Sequence, residues 1–531
     1  MGDTFQSLLR LKRKSYQASL GGKYLRWTEE SQHRESGAEN IDARSLDQSF
    51  GIPVTEIICA RLGNVEALTP SPGPLTGVNQ FTVFHVKRVK REHWILETLC
   101  FTAQDSELCQ QWVEALQRRI QQYGKCRPKN LLIFINPFGG KRQARKIFQT
   151  RIAPLFELAG IKSTVVETTR ANQARDHILE GDLEGLDGLV CVGGDGMFSE
   201  LMHGLIGRTQ KEAGISENSE NATLVSSSLR IGIIPAGSTD CICFATVGTN
   251  DPITSALHII VGDTQPLDVC AVHHEGTLIK YSVSLIGYGF YGDVLADSDQ
   301  HRWMGPLRYN YSGFKMVLSN RSYEGRVEFQ LAENPQSDPR DQMRCRTGCL
   351  ICSESSARLK EESEELQDKM LEHIESIHDS KWQAVEGSFV AVNVTGMCSA
   401  CPKSPDGLSP TAHLADGTAD LILVKKCSML QFLRHLIRHT NQKDQFALPF
   451  VEVYRIKALK FTARKEEEAN SILLQKGCFA RVCGNQPMHS CWTCDGETVD
   501  HANISIKVHC QLINLFARGI EGGHRPSLFS C

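Results

Sequence analysis

The spacing of apolar positions changes character twice along this chain. Up to about residue 125, stretches such as QFTVFHVKRVK and HWILETLCF alternate apolar and polar side chains, the two-residue period of half-buried strands. A Pro/Gly-rich break, TPSPGPLTG, interrupts them. They end in DSELCQQWVEALQRRIQQ, where Leu108, Trp112, Leu116 and Ile120 recur at helical spacing behind a polar start. From Lys129 the apolar runs become continuous: NLLIFIN, STVVET, GLVCVGGDG and LRIGIIPAGSTD. Each is followed by a helical pattern, the third beginning at Met197. Apolar strands alternating with helices predict a parallel sheet covered on both faces. Beyond about residue 270 strand-like texture returns in TLIKYSVSLIGYGF, SFVAVNVTG, ADLILVKK, FVEVYRIKALKFTA and ISIKVHCQLINLF. These predict a second, mainly antiparallel β domain. An acidic, helix-prone insertion near 353–381, expected to be mobile, interrupts it.

The predicted architecture is multidomain, with a β domain over 1–125, an α/β domain over 127–270 and a mainly β domain over 271–520. Strands closed by one amphipathic helix with a central Trp112 resemble a pleckstrin-homology domain. Composition is that of an ordinary globular protein, 41% hydrophobic and 22% charged. The net charge of −3 argues against nucleic acid as a partner. The sequence has no apolar run of about 18 residues, so no spanning helix is expected. MGDTFQSLLRLKRK has no apolar core of a signal peptide, and Gln6 stands where myristoylation needs Ser or Thr. With no such signal, the 20 cysteines read as reduced thiols of a cytoplasmic protein.

In a parallel sheet, ligands collect at the carboxyl ends of the strands. Three of those ends carry glycines: Gly139-Gly140, Gly193-Gly194-Asp195-Gly196 and Ala236-Gly237-Ser238. Glycines let backbone N–H groups approach closely, and a following helix directs its positive end at an anion. A carboxylate among phosphates repels them. Asp195 makes sense there if it takes a proton from an attacking hydroxyl or holds Mg²⁺. The alternative is that it only caps the helix from Met197, but no capping box supports this, since the N3 position would be Phe198. No G-x-x-x-x-G-K-[ST] loop is present.

The motifs NPFGGK (136–141), TRANQA (169–174), GGDGMFSE (193–200), PAGS (235–238), GYGFYGDV (287–294) and CDGE (494–497) follow one another in the order found in the diacylglycerol kinase-like lipid kinases. The chain resembles that family, which includes the sphingosine and ceramide kinases, and the pleckstrin-homology-like module points to its ceramide-phosphorylating branch. The resemblance implies an α/β nucleotide domain joined to a lipid-binding β-sandwich, with ATP and Mg²⁺ (or Ca²⁺) as cofactors. It implies transfer to the primary hydroxyl of ceramide. Asp195 then matches the general base, and Gly193, Gly194 and Gly196 the loop that meets the substrate. Asn136, Pro137, Phe138, Gly139 and Gly140 match the first nucleotide loop, and Thr168, Thr169, Arg170, Ala171 and Asn172 a second. Glu200, Gly237, Arg302, Arg308, Asp495, Gly496 and Glu497 match further nucleotide contacts, and Asp293 the carboxylate that recognises the lipid head group. The alternatives are a sphingosine or diacylglycerol kinase, or a catalytically silent phosphoinositide-binding adaptor.

One departure stands out. Related kinases continue the third loop with Gly-Asn, whereas this chain has Thr239 and Asp240, and an ionised aspartate cannot donate to a phosphate. Asp240 is therefore not assigned to the site. Asp416 and Asp420 are spaced for a structural Mg²⁺ or for a turn at a strand entry, and the turn is preferred. Lys12, Arg13 and Lys14, and Lys87, Arg88, Lys90 and Arg91, form basic clusters suited to a phosphoinositide-containing membrane, or to the protection of edge strands. By resemblance the protein would sit peripherally on Golgi and plasma membranes. SMLQFLRHLIRHTNQ (428–442) is amphipathic and suits calmodulin or packing on its own domain, the latter preferred. Three cysteine groups, Cys345/Cys349/Cys352, Cys398/Cys401 and Cys491/Cys494, fit zinc ligation or independent thiols equally, and none is assigned to a metal.

Overall fold

The structure is a computed structural model describing residues 4–30, 49–65, 79–90, 92–305, 307–332, 338–369, 382–402, 404–440, 444–464 and 489–522. Side chains are described for those residues apart from 363 and 365–369.

The alternating N-terminal stretches form a seven-stranded antiparallel sheet, and helix Ser106–Tyr123 closes it. Asp105 caps this helix by accepting from the Leu108 N–H at 2.8 Å. Its apolar face lies in the core through Trp112, which is fully buried and donates its indole N–H to Ser7 Oγ at 2.8 Å.

Four continuous apolar runs become the parallel strands Lys162–Glu167, Asn130–Ile135, Gly188–Gly193 and Arg230–Pro235, side by side in that order. Alternate side chains serve two cores. Leu132, Phe134, Leu189 and Cys191 face helices Gln173–Glu180 and Asp195–Ala213, whereas Leu131, Ile133, Val190 and Val192 face helix Pro252–Val261 and the 144–158 segment. Both faces are covered, as the absence of alternation requires.

The sheet continues past these four strands. Ile504–Leu515 pairs in parallel with Arg230–Pro235 and antiparallel with both Gln265–His274 and Val451–Ala463. It thus joins the parallel sheet to the β domain, and Gln265–His274 runs across the expected boundary near residue 270. Two long strands, Trp382–Thr395 and Val451–Ala463, change partner midway: their outer halves flank Tyr323–Leu331 and their inner halves flank Ala419–Lys425. Strands shared in this way fold the antiparallel region into two layers around a core of Tyr288, Phe329, Phe461 and Trp492.

The helix-prone insertion forms helix Leu350–Lys369, docked by its first turns through Cys352, Ser355 and Ser356; residues 370–381 lie outside the described part. Helix Met429–Arg438 starts with a capping box on Ser428 and Gln431 and packs on the β domain through buried Phe432 and His435. Among the described residues no helix is long and apolar enough to cross a membrane.

The N-terminal sheet shares a core with the α/β domain, where Ile58, Phe84, Val86 and Trp94 meet Leu131, Ile133, Leu257 and Ile259. Arg88, read from sequence as part of a lipid-facing cluster, is instead held here. It donates to Glu56 at 2.7 and 2.8 Å and to Glu521 at 3.0–3.1 Å, and stacks over Trp94. Lys87 pairs with Glu97 at 2.5 Å, and Arg91 lies outside the described residues. Lys12, Arg13 and Lys14 sit exposed at a hairpin turn, Lys14 bonded to Glu29 at 2.8 Å.

Candidate active site

The three glycine turns emerge from adjacent strands whose ends lie level, Val192 opposite Ile135 and Gly193 opposite Pro235. They pack on one another closely enough to need glycine. A Cβ on Gly140 would lie 2.5 Å from the Ala236 carbonyl oxygen, and Gly140 has φ +54°. One on Gly237 would lie 2.6 Å from the Gly194 Cα. Asn136 stiffens the first turn, its side-chain oxygen accepting from the N–H groups of Phe138 at 2.9 Å and Gly139 at 3.2 Å.

Thr168 extends this edge, its N–H donating to the Ile135 carbonyl at 2.9 Å. Thr169 donates through N–H and Oγ1 to Gln173, while Arg170 pairs with Asp176 at 2.8 Å. Ala171 is exposed, and Asn172 takes a left-handed conformation before helix Gln173–Glu180. Glu200 reaches from the neighbouring helix to accept from the Ala174 N–H at 3.2 Å, locking the second loop to the glycine loop.

The helix after the glycine loop begins at Asp195, two residues earlier than its apolar pattern predicts, with Gly194 at the N-cap. Asp195 is thus inside the first turn and does not cap its own helix. Its carboxylate turns to helix Cys241–Val247 and accepts from the N–H groups of Cys241 and Ile242, both at 3.1 Å. A carboxylate has about four lone-pair positions, so two stay available on a half-buried group. Burial raises its pKa above the usual carboxylate value, the two N–H groups oppose the rise, and the Asp495 charge adds to it. A raised pKa makes a more effective base at neutral pH.

Asp240 is the residue that the sequence reading set aside. It has φ +52°, accepts from the Gly237 N–H at 3.0 Å and is pushed up to about 7 by burial and then by Asp195. At that pKa it is half protonated near neutrality, and a protonated carboxyl does donate. The objection to Asp240 therefore holds only above about pH 7. For an acid with a raised folded-state pKa, stability is fully present below the unfolded value and is lost as pH rises through the folded one. Asp240→Asn should therefore gain melting temperature relative to the parent between about pH 4 and 7, and should extend activity on the alkaline side. Parallel thermal-melt and activity profiles across that range check both.

The remaining assigned residues divide into two groups. Asp495, at φ +48°, accepts from Ser282 Oγ and from the N–H groups of Val283, Ser284 and Leu285 at 2.8–2.9 Å, so it anchors the entry to strand Leu285–Gly289. Gly496 turns at φ +86°, and Glu497 pairs with Lys280. At the other end of that strand, helix Phe290–Gln300 carries Asp293, which accepts from Tyr323 Oη and Ser490 Oγ, both at 2.6 Å. Burial raises the Asp293 pKa and these two bonds oppose the rise. Arg302 and Arg308 converge on Asp299 at 3.3 and 3.7 Å, and Arg302 is largely exposed. The Asp416/Asp420 pair is a structural turn: Asp416 accepts from the Thr418 N–H at 3.0 Å, and buried Asp420 pairs with Arg455 at 2.9 Å. Tyr323, Ser490 and the 241–242 N–H groups carried no sequence signal, because each meets its partner only through long-range folding.

Three family models match the chain in succession: a ceramide kinase PH domain over 5–116, a diacylglycerol kinase catalytic domain over 130–272 and a ceramide kinase C-terminal domain over 284–531. The chain is 47% identical to ceramide kinase of Homo sapiens, over 99% of each protein. It is 46% identical to ceramide kinase of Mus musculus, over 98% of each. With ceramide kinase 1 of Caenorhabditis elegans it shares 33% identity over 82% of this chain and 74% of the other.

Proposed function

Because this chain belongs to the ceramide kinase family, we propose that the glycine-turn edge binds ATP while Asp195 takes the proton from the primary hydroxyl of ceramide. The protein is an ATP-dependent lipid kinase, and the product is ceramide 1-phosphate. The observation that carries the site assignment is the mutual packing of Gly140, Gly194 and Gly237 at level strand ends, with Asp195 among them. Three clustered backbone turns, bare of side chains at Gly140, Gly194 and Gly237, suit a polyphosphate. Asn136 to Gly140, Thr168 to Asn172, Glu200 and Gly237 frame the nucleotide. Arg302 and Arg308, now on Asp299, would exchange that carboxylate for the transferred phosphoryl group. Asp495 and Glu497 would act by fixing the strand entry beside Asp195.

Asp195 and Asp240 are neighbouring carboxylates that have no cationic partner among the described residues, a setting that fits a divalent cation brought by the nucleotide. Mg²⁺, or Ca²⁺ in its place, would be held chiefly by the phosphates and would neutralise their charge. The chain's own contribution is to orient Asp195 through Cys241 and Ile242 and to fix Asp240 on the Gly237 N–H.

Asp293 is the head-group carboxylate of this reading. The helices after it offer an apolar rim: Leu307, Phe314 and Leu318 on helix Leu307–Ser319 stand exposed beside Leu430 and Ile437 of helix Met429–Arg438, against which it packs. Exposed apolar side chains at this density suit a bilayer surface and the chains of a lipid. With the exposed Lys12–Lys14 turn of the pleckstrin-homology-like module, they support peripheral attachment to phosphoinositide-containing Golgi and plasma membranes from the cytoplasm. A calmodulin complex would need Phe432 withdrawn from the core, so helix Met429–Arg438 is better suited to its present packing.

Transfer of labelled phosphate from ATP to ceramide, sphingosine and diacylglycerol in mixed micelles tests the proposal, with ceramide the preferred acceptor. A preference for either other lipid would overturn it. Asp293→Asn should lower kcat/KM for the lipid about 10–100-fold, the worth of a charge-assisted hydrogen bond, with KM for ATP unchanged.

A further inference from the structure

We propose that Cys345, Cys349, Cys352 and His413 form a structural zinc site that clamps the 345–352 segment to the β domain. Their ligand atoms all lie within 4.8 Å of one another. The Cys345 and Cys352 sulfurs are 3.7 Å apart, and the Cys349 sulfur is 3.3 Å from His413 Nδ1. Tetrahedral zinc with Zn–S of about 2.3 Å and Zn–N of about 2.0–2.1 Å sets ligand separations of about 3.8 Å between sulfurs and about 3.6 Å between sulfur and nitrogen. The two observed edges are close to these values. The sulfurs are too far apart for a disulfide, whose S–S bond is about 2.05 Å.

Local structure explains how three cysteines reach one point. Gly348 has φ +72°, and the Cys349 N–H donates to the Arg346 carbonyl at 2.9 Å, which folds the chain back between Cys345 and Cys349. Helix Leu350–Lys369 follows at once, placing Cys352 in its first turn, three residues after Cys349 and on the same side. The fourth ligand comes from 64 residues further along. His413 is buried in the loop before strand Ala419–Lys425, and its neighbour Thr411 donates to the Pro339 carbonyl at 2.6 Å. Three thiolates and an imidazole in a closed, half-buried set are the donors of a structural zinc site, and the set leaves no open position for catalysis.

Cys398, Cys401, Cys491 and Cys494 are outside the cluster, so of the three cysteine groups only the first provides ligands. Cys345, Cys349 and Cys352 adjoin the core that also holds Met197 and Phe198, which follow Asp195 in its helix, and Ile242, one of its two N–H donors. The ion would therefore brace the wall behind the catalytic loop without touching substrate.

The test is metal analysis of the full chain purified without chelators or metal-affinity resin. About one zinc ion per chain is expected, absent from Cys349→Ser and His413→Ala and retained in Cys398→Ser. Removing zinc should lower the melting temperature of the parent and leave that of His413→Ala unchanged. Should those variants fail to fold, cobalt exchanged into the parent protein must give thiolate charge-transfer bands and the visible bands of a tetrahedral site. A metal-free parent chain with a Cys345–Cys352 disulfide, zinc retained by His413→Ala, or cobalt without thiolate bands would each overturn the proposal.

Discussion

Asp195→Asn is expected to lower kcat by about 10²–10⁴-fold, the usual contribution of a positioned base, with ATP affinity nearly unchanged. The carboxylate is gripped by two N–H groups of a neighbouring helix, so its orientation is set before any substrate arrives. An amide can accept one of those bonds through its oxygen, but its NH₂ then faces the second donor. The variant should consequently lose about 1–3 kcal/mol of stability as well, the cost of a broken buried hydrogen bond. The proposed nucleotide site is built on backbone turns that the change does not touch, so binding of a fluorescent ATP analogue should persist. Parallel measurement of turnover, nucleotide binding and melting separates loss of the base from loss of the fold. Wild-type turnover would remove Asp195 from the mechanism.

Trp94→Ala should destabilise the protein by about 3–5 kcal/mol, as truncation of a fully buried tryptophan does. Two guanidinium groups lie over the ring, Arg88 at 4.6 Å and Arg518 at 4.8 Å, and His258 packs against it at a centroid separation of 3.8 Å and a tilt of 31°. Its indole N–H donates to Glu521 at 2.9 Å, and its backbone N–H donates to Thr254 Oγ1 at 3.0 Å. Around it run the pairs Arg88–Glu56 and Arg518–Asp263, at 2.7 and 2.9 Å. Deleting the ring opens a cavity and admits water to a charge network whose strength depends on exclusion of solvent. Because this network joins the pleckstrin-homology-like module to the α/β domain, its loss should split unfolding into two steps. Urea denaturation followed by two probes should then give separate transitions where the parent gives one. A single transition at the parental midpoint would show that the modules are coupled elsewhere.

The parallel sheet was legible because strands buried on both faces need unbroken apolar runs, and NLLIFIN and GLVCVGGDG have them. The glycine turns were legible too, since close backbone approach leaves its mark as residues without side chains. What could not be read is contact between distant segments. The partners of Asp195 are backbone groups of Cys241 and Ile242, which any residue would supply. The raised pKa of Asp240 comes from burial and then from Asp195, a carboxylate 45 positions away in sequence, brought near by the packing of Gly194 on Gly237. Arg88 read as a lipid-facing cation because it clusters with Lys87, Lys90 and Arg91 in sequence; Glu56 and Glu521 turn it inward. C-x-x-x-C-x-x-C fitted zinc or independent thiols equally, because the four-residue group forms only when His413 arrives from another loop. Ile504–Leu515 looked like one more strand of the β domain, yet its end continues the parallel sheet beside Arg230–Pro235.

The central claim is that the glycine turns grip phosphates while Asp195 meets the acceptor hydroxyl. A crystal structure of the chain with a non-hydrolysable ATP analogue and a short-chain ceramide tests it most directly. The account predicts β- and γ-phosphates against the Gly140, Gly194 and Gly237 turns, with the primary hydroxyl oxygen about 2.6–3.2 Å from an Asp195 carboxylate oxygen. Phosphates bound elsewhere, or a hydroxyl held by another group while Asp195 contacts only Cys241 and Ile242, would contradict it.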